Sequence, residues 1–280
     1  MRPPISRYGN KSSVALEAWK RIGGVQMVIE PMCGSAAFTL ARPDTVSAAI
    51  INDIEPLIVN ALRALKHDPD AVAYFYRQRR LEAPPGQMRG HVREYYFYQQ
   101  RHLLARRASL AEYLRDENYF HPAAAAMWLL GNNECWHGKF CFLNSSGTMM
   151  KAPAPHKFLQ KYPLLHNREY REQVSQRLAG VRILCGDWLD AINTAKASGT
   201  VAVFLDPVYP IAARNQLYER PYLNHAERVV AWAIANEHSP NLQIALCGEL
   251  GDYDLPGWSS VAWRSKNGRP ESQERIWFNF

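Results

Sequence analysis

No stretch of this chain approaches the ~18 consecutive apolar residues that a membrane span needs, so no spanning segment is expected. Its 5 cysteines (Cys33, Cys135, Cys141, Cys185 and Cys247) include no Cys-x-x-Cys pair and make an odd count. Neither a disulfide framework nor a metal site is therefore expected, and buried thiols in a reducing, cytoplasmic setting are. The opening residues Met1-Arg2-Pro3-Pro4-Ile5 lack the apolar core of a secretory signal. No internal repeat and no low-complexity tract occurs. A G-x-G-x-x-G turn is also missing. That argues against a pyrophosphate seat at a helix start, and with it a nicotinamide dehydrogenase.

What is present is a folded, basic chain. Of 280 residues, 47% are hydrophobic and 11% aromatic, and the formal net charge is +7. That is enough apolar material for a core, with an excess of cations that favours a polyanionic partner. Short runs read as strands at Val25–Glu30, Ala48–Asn52, Val181–Cys185, Val201–Leu205, Leu242–Cys247, Ser259–Trp263 and Glu274–Phe278. The first five are apolar throughout, as in a parallel sheet covered on both faces. Helical patterns lie between them at Ser12–Arg21, Glu55–Leu65 and Asn224–His238. Asn224 is expected to cap the last of these, with Val229, Val230, Ala233 and Ile234 as its buried stripe. Strands alternating with helices predict an α/β fold. The turn-rich connector Ser265–Pro270 is too short for a crossover helix, so the final strand is expected antiparallel. A simple crossover needs only a dozen or so residues, so the gap from Ala61 to Gly180 predicts an inserted, mainly helical module. Within it, His91–Arg107 reads as a helix. Ser109-Leu110-Ala111-Glu112 has the capping-box pattern that starts another, and Pro122 opens Ala123–Leu130. Residues 132–147 are polar, aromatic and turn-forming, and read as an exposed loop.

Two motifs sit where open α/β sheets hold ligands, just past the carboxyl ends of strands. Asp206-Pro207-Val208-Tyr209 follows the apolar run Val201–Leu205. A carboxylate and a proline carbonyl can accept hydrogen bonds from an amine, and a tyrosine ring can stack on a flat base. Glu30-Pro31-Met32-Cys33-Gly34-Ser35-Ala36-Ala37-Phe38 follows the first strand, and its small residues let the backbone approach a ligand closely. Asp53 ends the second strand at about the 20-residue spacing from Gly34 that suits an acid taking ribose hydroxyls. The alternative on residues alone is that Gly34 and Ser35 form a tight strand–helix turn and Asp53 caps the Glu55 helix.

These motifs occur in an order that resembles the DNA adenine-specific methyltransferases of the Dam and phage adenine-methylase type. Arg7-Tyr8-Gly9-Asn10-Lys11-Ser12 resembles their R-Y-x-G-K box and is one residue short. Glu30–Phe38 resembles E-P-F-x-G-S-G-A-x-F, with Ala36 in place of the second glycine. Asn52-Asp53-Ile54 resembles N-D-x-N, and Gly186-Asp187-Trp188 resembles x-D-F. Asp206–Tyr209 resembles D-P-P-Y, with Val208 at the third position. Asn132–Lys151 and Gly248–Trp258 resemble later family segments. The resemblance implies a Rossmann-like methyltransferase sheet, mostly parallel with its last strand antiparallel, in residues 1–60 and 181–280. Residues 61–180 would form the target-recognition insert. It implies S-adenosyl-L-methionine as cofactor, with Asp53 on its ribose and Gly34, Ser35 and Ala36 under its methionine part. Glu30, Pro31 and Ile54 belong to the same motifs. Tyr8 and Lys11 would close that side, and Asp187 and Trp188 would flank the adenine ring. Asp206, Pro207 and Tyr209 would hold the amine and ring of a flipped adenine.

The implied partner is double-stranded DNA, bound by a monomer, in a bacterial or phage setting where a cognate restriction nuclease is an open possibility. Arg77, Arg79, Arg80, Arg89, Arg93, Arg101, Arg106 and Arg107 crowd one segment with Tyr95, Tyr96 and Tyr98, and are expected to meet phosphates. Asn132, His137, Lys139 and Asn144 are expected to reach bases. Two other readings stay open: a DNA-binding relative disabled at Val208, and an RNA methyltransferase of the same fold.

Overall fold

A computed structural model describes residues 1–6, 11–82, 89–134, 140–141, 163–196, 199–208, 225–263 and 274–280. The apolar runs become a seven-stranded sheet. Its strands are β1 (Met27–Glu30), β2 (Ala48–Asp53), β3 (Val181–Cys185), β4 (Val201–Leu205), β5 (Leu242–Glu249), β6 (Ser259–Trp263) and β7 (Glu274–Phe278), in the order β3-β2-β1-β4-β5-β7-β6. The five apolar strands are parallel neighbours. β7 enters antiparallel beside β5, and β6 pairs antiparallel with β7. The expected Rossmann-like topology is therefore present.

Side chains alternate across each strand, and they sort into two apolar cores. Phe204, Ile51, Cys247 and Phe278 face one side with Trp19 and Phe38. Val203, Leu205, Ile50 and Leu246 face the other with Trp188, Val229 and Ala233. The first side is covered by α1 (Ala15–Arg21), α2 (Ala37–Leu40) and α3 (Pro56–His67). The same core takes in α4 (Pro69–Glu82), α5 (Arg89–Tyr113), α6 (Pro122–Glu134) and α7 (Arg168–Ala179). The second side is covered by α8 (Trp188–Asn193) and α9 (His225–Ala235).

Several expectations are corrected. The helix expected over Ser12–Arg21 divides into a 3-10 turn, Lys11–Ser13, and α1. Residue 60 lies inside α3. Ala61, Leu62, Ala64 and Leu65 are fully buried there, and Arg63 Nε and Nη2 donate to the Ile183 carbonyl of β3 at 3.0 and 2.8 Å. Ser109 starts no helix. It lies inside α5, whose buried stripe through Tyr96, Leu103 and Leu110 continues past it. A cap contributes only about 1 kcal/mol, less than burying those leucines does. In α9 only Val229 and Ala233 of the expected stripe are buried. Val230 is half-buried and Ile234 exposed, because one core-facing row suffices where the helix meets the sheet. The Asn224 cap lies outside the described residues.

Candidate active site

Trp19, Phe38 and Phe204 stack in succession, with centroids 4.5 and 4.0 Å apart, and the Trp19 indole N–H donates to the Phe38 carbonyl. This column fixes the end of β4. Two residues beyond Phe204, past the carboxyl end of the strand, the Asp206 carboxylate is 2.8 Å from Lys11 Nζ. Lys11, which the resemblance grouped with the cofactor, thus meets the expected catalytic acid. It comes from the turn before α1 and lies over the Trp263 ring at 5.9 Å. Burial works against its charge, but Asp206 above all holds its pKa higher than an ordinary lysine's.

Other groups crowd the same point. Burial pushes the Glu30 carboxyl up to about 8. The Asp206 charge adds to that rise, and together they outweigh the N–H that Thr39 donates to Glu30 at 3.0 Å. Burial also raises the Glu274 carboxyl and the Cys247 thiol, again with Asp206 contributing. Glu274 was not among the expected site residues. It starts an ordinary strand, and only the β5–β7 ladder, which pairs it with Glu249, brings it here.

A testable consequence concerns Glu30. The folded protein keeps a proton that the unfolded chain releases near the usual carboxylate range, so this contribution is fully present at low pH. It is lost as pH rises toward about 8. Glu30→Gln keeps an acceptor for Thr39 and removes the titration. Thermal melts from pH 5 to 8.5 should show the wild type losing stability relative to the variant, and parallel profiles would contradict the assignment.

The second motif forms a knot of hydrogen bonds between strand ends. Asp53 Oδ2 accepts from the Gly34 N–H and Oδ1 from the Glu55 N–H, both at 2.9 Å. Asn52 Nδ2 donates to the carbonyls of Pro31 and Gly186 at 2.9 and 3.0 Å. The loops after β1, β2 and β3 are thereby held together. Asp53 does not itself cap α3. Glu55 does, accepting from the Leu57 N–H. Gly34 and Ala36 both have left-handed backbone, at φ 49° and 54°. The alanine in place of the family's second glycine is small enough but carries a conformational cost of about 1–2 kcal/mol. Part of that is offset because glycine would be looser in the unfolded chain. Ala36→Gly should leave stability unchanged or raise it by up to about 1 kcal/mol in urea denaturation. A loss of more than that would show that the methyl group is needed.

Other expected residues are distributed as follows. Pro31 and Ser35 are buried in the turn, and Ile54 is exposed beside Asp53 (49%). Asp187 caps α8 through the Leu189 N–H and lies 3.5 Å from Arg228. Trp188 is only 3% exposed within the second core, under Arg228 and against His225 and Trp232. Its ring packs into the second core because the first residue of α8 faces the sheet. Pro207 is buried and Val208 half-buried. In the insert, Arg77 is exposed, Arg79 and Arg80 are half-buried, and Arg79 pairs with Glu82 at 2.9 Å. Arg107 pairs with Glu55 at 2.6 Å.

Asn132 is not in a loop. It ends α6 fully buried, and its Nδ2 donates to the Ser6 carbonyl at 2.7 Å. Asn133 accepts from the Ser6 N–H and donates to the Pro4 carbonyl. These two amides were read as polar loop residues, whereas their partners come from a segment about 130 positions away. Tyr8, Tyr209, His137, Lys139 and Asn144 lie outside the described residues, as do the side chains of Arg89 and Arg93. Among the described residues no group of three acids, histidines or cysteines could hold a metal ion, and no helix is long and apolar enough to cross a membrane.

A carboxyl group beside a proline at a strand end, paired with a buried lysine and adjoining a knotted small-residue turn, can hold an amine against a second ligand. A family model described as D12 class N6 adenine-specific DNA methyltransferase matches residues 8–227. No curated protein matches the chain.

Proposed function

The chain belongs to the D12 class N6 adenine-specific DNA methyltransferase family, and from that premise we propose that it methylates a flipped adenine with S-adenosyl-L-methionine as donor. The exocyclic nitrogen of a stacked adenine lies inside the duplex, so the base must leave the stack to react. When bound, the donor supplies an electrophilic methyl group on a sulfonium sulfur.

The residues present fit that donor. Each Asp53 oxygen takes one backbone N–H, and a carboxylate has further lone pairs for two ribose hydroxyls. The exposed Ile54 beside it offers an apolar face for a nucleobase. The left-handed turn at Gly34 and Ala36 turns the backbone past the strand end under the amino-acid part.

On the acceptor side, Asp206 and the Pro207 carbonyl take the two hydrogens of the adenine amine, whose lone pair is otherwise delocalised into the ring. Pairing with Lys11 through Oδ1 leaves a carboxylate able to accept further bonds. Lys11 places a cation against Asp206 where Glu30 and Glu274 also gather. Tyr209 stacks on the extruded base, worth about 1–3 kcal/mol. Positioning and charge do the work. In the insert, the exposed Arg77, Tyr74 and Tyr98 of α4 and α5 would meet the duplex, and one copy of the chain suffices for the reaction.

The observation that carries this reading is the Lys11–Asp206 pair beside the Gly34–Asp53 turn at one sheet edge. The test is transfer of labelled methyl from the donor into duplex DNA isolated from methylation-free cells, with hydrolysis to identify N6-methyladenine. Absence of that product, or preferential labelling of competing RNA, would overturn it.

A further inference from the structure

The buried stripe of α5 runs through Tyr96, Gln100, Leu103 and Leu110. At helical spacing, the place between Leu103 and Leu110 belongs to a core residue. An arginine occupies it. Arg107 is only partly covered, and its Nη2 lies 2.6 Å from Glu55 Oε2, with the two side chains 23% and 14% exposed. A cation on an inward row costs desolvation unless a partner meets it, and here the partner sits at the turn that follows Asp53.

The contact is not needed for the helix that Glu55 caps. Glu55 Oε1 alone accepts the Leu57 N–H, while Oε2 takes Arg107. The Glu55 N–H then donates to Asp53 Oδ1, and Asp53 Oδ2 accepts from Gly34. An unbroken series of polar contacts thus leads from the insert, through Arg107, Glu55 and Asp53, to the turn after β1. On its other face α5 is exposed at Tyr98, and Arg101 lies over the Phe97 ring at 5.9 Å.

We propose that Arg107 is a positioning residue that couples duplex binding on the insert to cofactor binding at Asp53. The inference rests on the functional reading above, with the ribose at Asp53 and DNA on the outer face of the insert. A duplex docked on α5 holds that helix, and with it Arg107, against Glu55. The fixed Glu55 in turn holds Asp53 in the geometry the ribose needs. By linkage, the cofactor must tighten DNA binding by the same factor as DNA tightens the cofactor.

S-adenosylhomocysteine, which has no methyl group to transfer, separates binding from turnover. Its Kd is measured by calorimetry with and without saturating unmethylated plasmid DNA. Wild type should bind about tenfold tighter with DNA, within the usual span of such couplings. Arg107→Gln should bind within about twofold of wild type without DNA and gain less than about twofold from it. Glu55→Gln, which keeps the cap oxygen, should behave alike, and the double variant should lose nothing further. Arg107→Lys should recover part of the gain. A merely structural ion pair would lower the melting temperature and leave the tightening by DNA unchanged. That outcome, or no tightening in the wild type, overturns the inference. Asp53→Ala tests the underlying reading separately. If it fails to weaken S-adenosylhomocysteine binding without DNA, the assignment of Asp53 falls, whatever Arg107 does.

Discussion

Asp206→Asn is expected to lower the rate of methyl transfer about 10²–10³-fold, the usual cost of removing one preorganised polar group from a reacting centre. Cofactor affinity should stay within about twofold, because Asp53 and the Gly34 turn are left intact. Asparagine is the informative substitution. It keeps the shape of the side chain and one oxygen beside Lys11, so the end of β4 stays packed through Phe204 and Phe38. What it removes is the negative charge toward which the amine's positive charge develops as its nitrogen attacks. Single-turnover measurement with labelled donor separates that chemical step from binding and product release. Turnover above about a tenth of wild type, at unchanged cofactor affinity, would remove Asp206 from the role assigned to it.

Lys11→Met should have the largest effect on stability, about 3–5 kcal/mol, the range found when one partner of a buried ion pair is removed. Lys11 is buried, its Nζ is 2.8 Å from Asp206, and Glu30, Cys247 and Glu274 gather around the same carboxylate. Without the ammonium group, Asp206 loses its cationic partner in a partly buried, acid-rich setting. The loss therefore belongs to the pair and not to the lysine alone. Combining Lys11→Met with Asp206→Asn should recover much of it, so the two single effects should add to clearly more than the double effect. Urea unfolding of the four proteins measures this directly. Additive effects would mean that the 2.8 Å contact carries no coupling.

The two predictions concern residues of unequal visibility. Asp206 could be singled out because it sits within one residue of an apolar run and next to a proline. The same holds for β3, β4, β6 and β7, whose limits match the runs residue for residue. Gly34 and Asp53 were legible through spacing, because a strand–turn–helix unit has a nearly fixed length. Lys11 was visible only as a motif member, and its partner was not. Asn132 and Trp188 carried the polar and aromatic character of contact residues, yet both are buried. Ser109 carried a helix-start signal that core packing overrode.

By itself, then, the sequence determined the strands, the order of the motifs and the class of sheet. Each of these depends on backbone preference and burial pattern over a few neighbouring positions. Only the tertiary structure decided which groups share an environment: Lys11 with Asp206, Glu274 with both, Arg107 with Glu55, and the two asparagines with residues 4–6. A side chain's charge state and partners depend on what lies within a few ångströms of it. In a sheet with order β3-β2-β1-β4-β5-β7-β6, those neighbours come from distant parts of the chain.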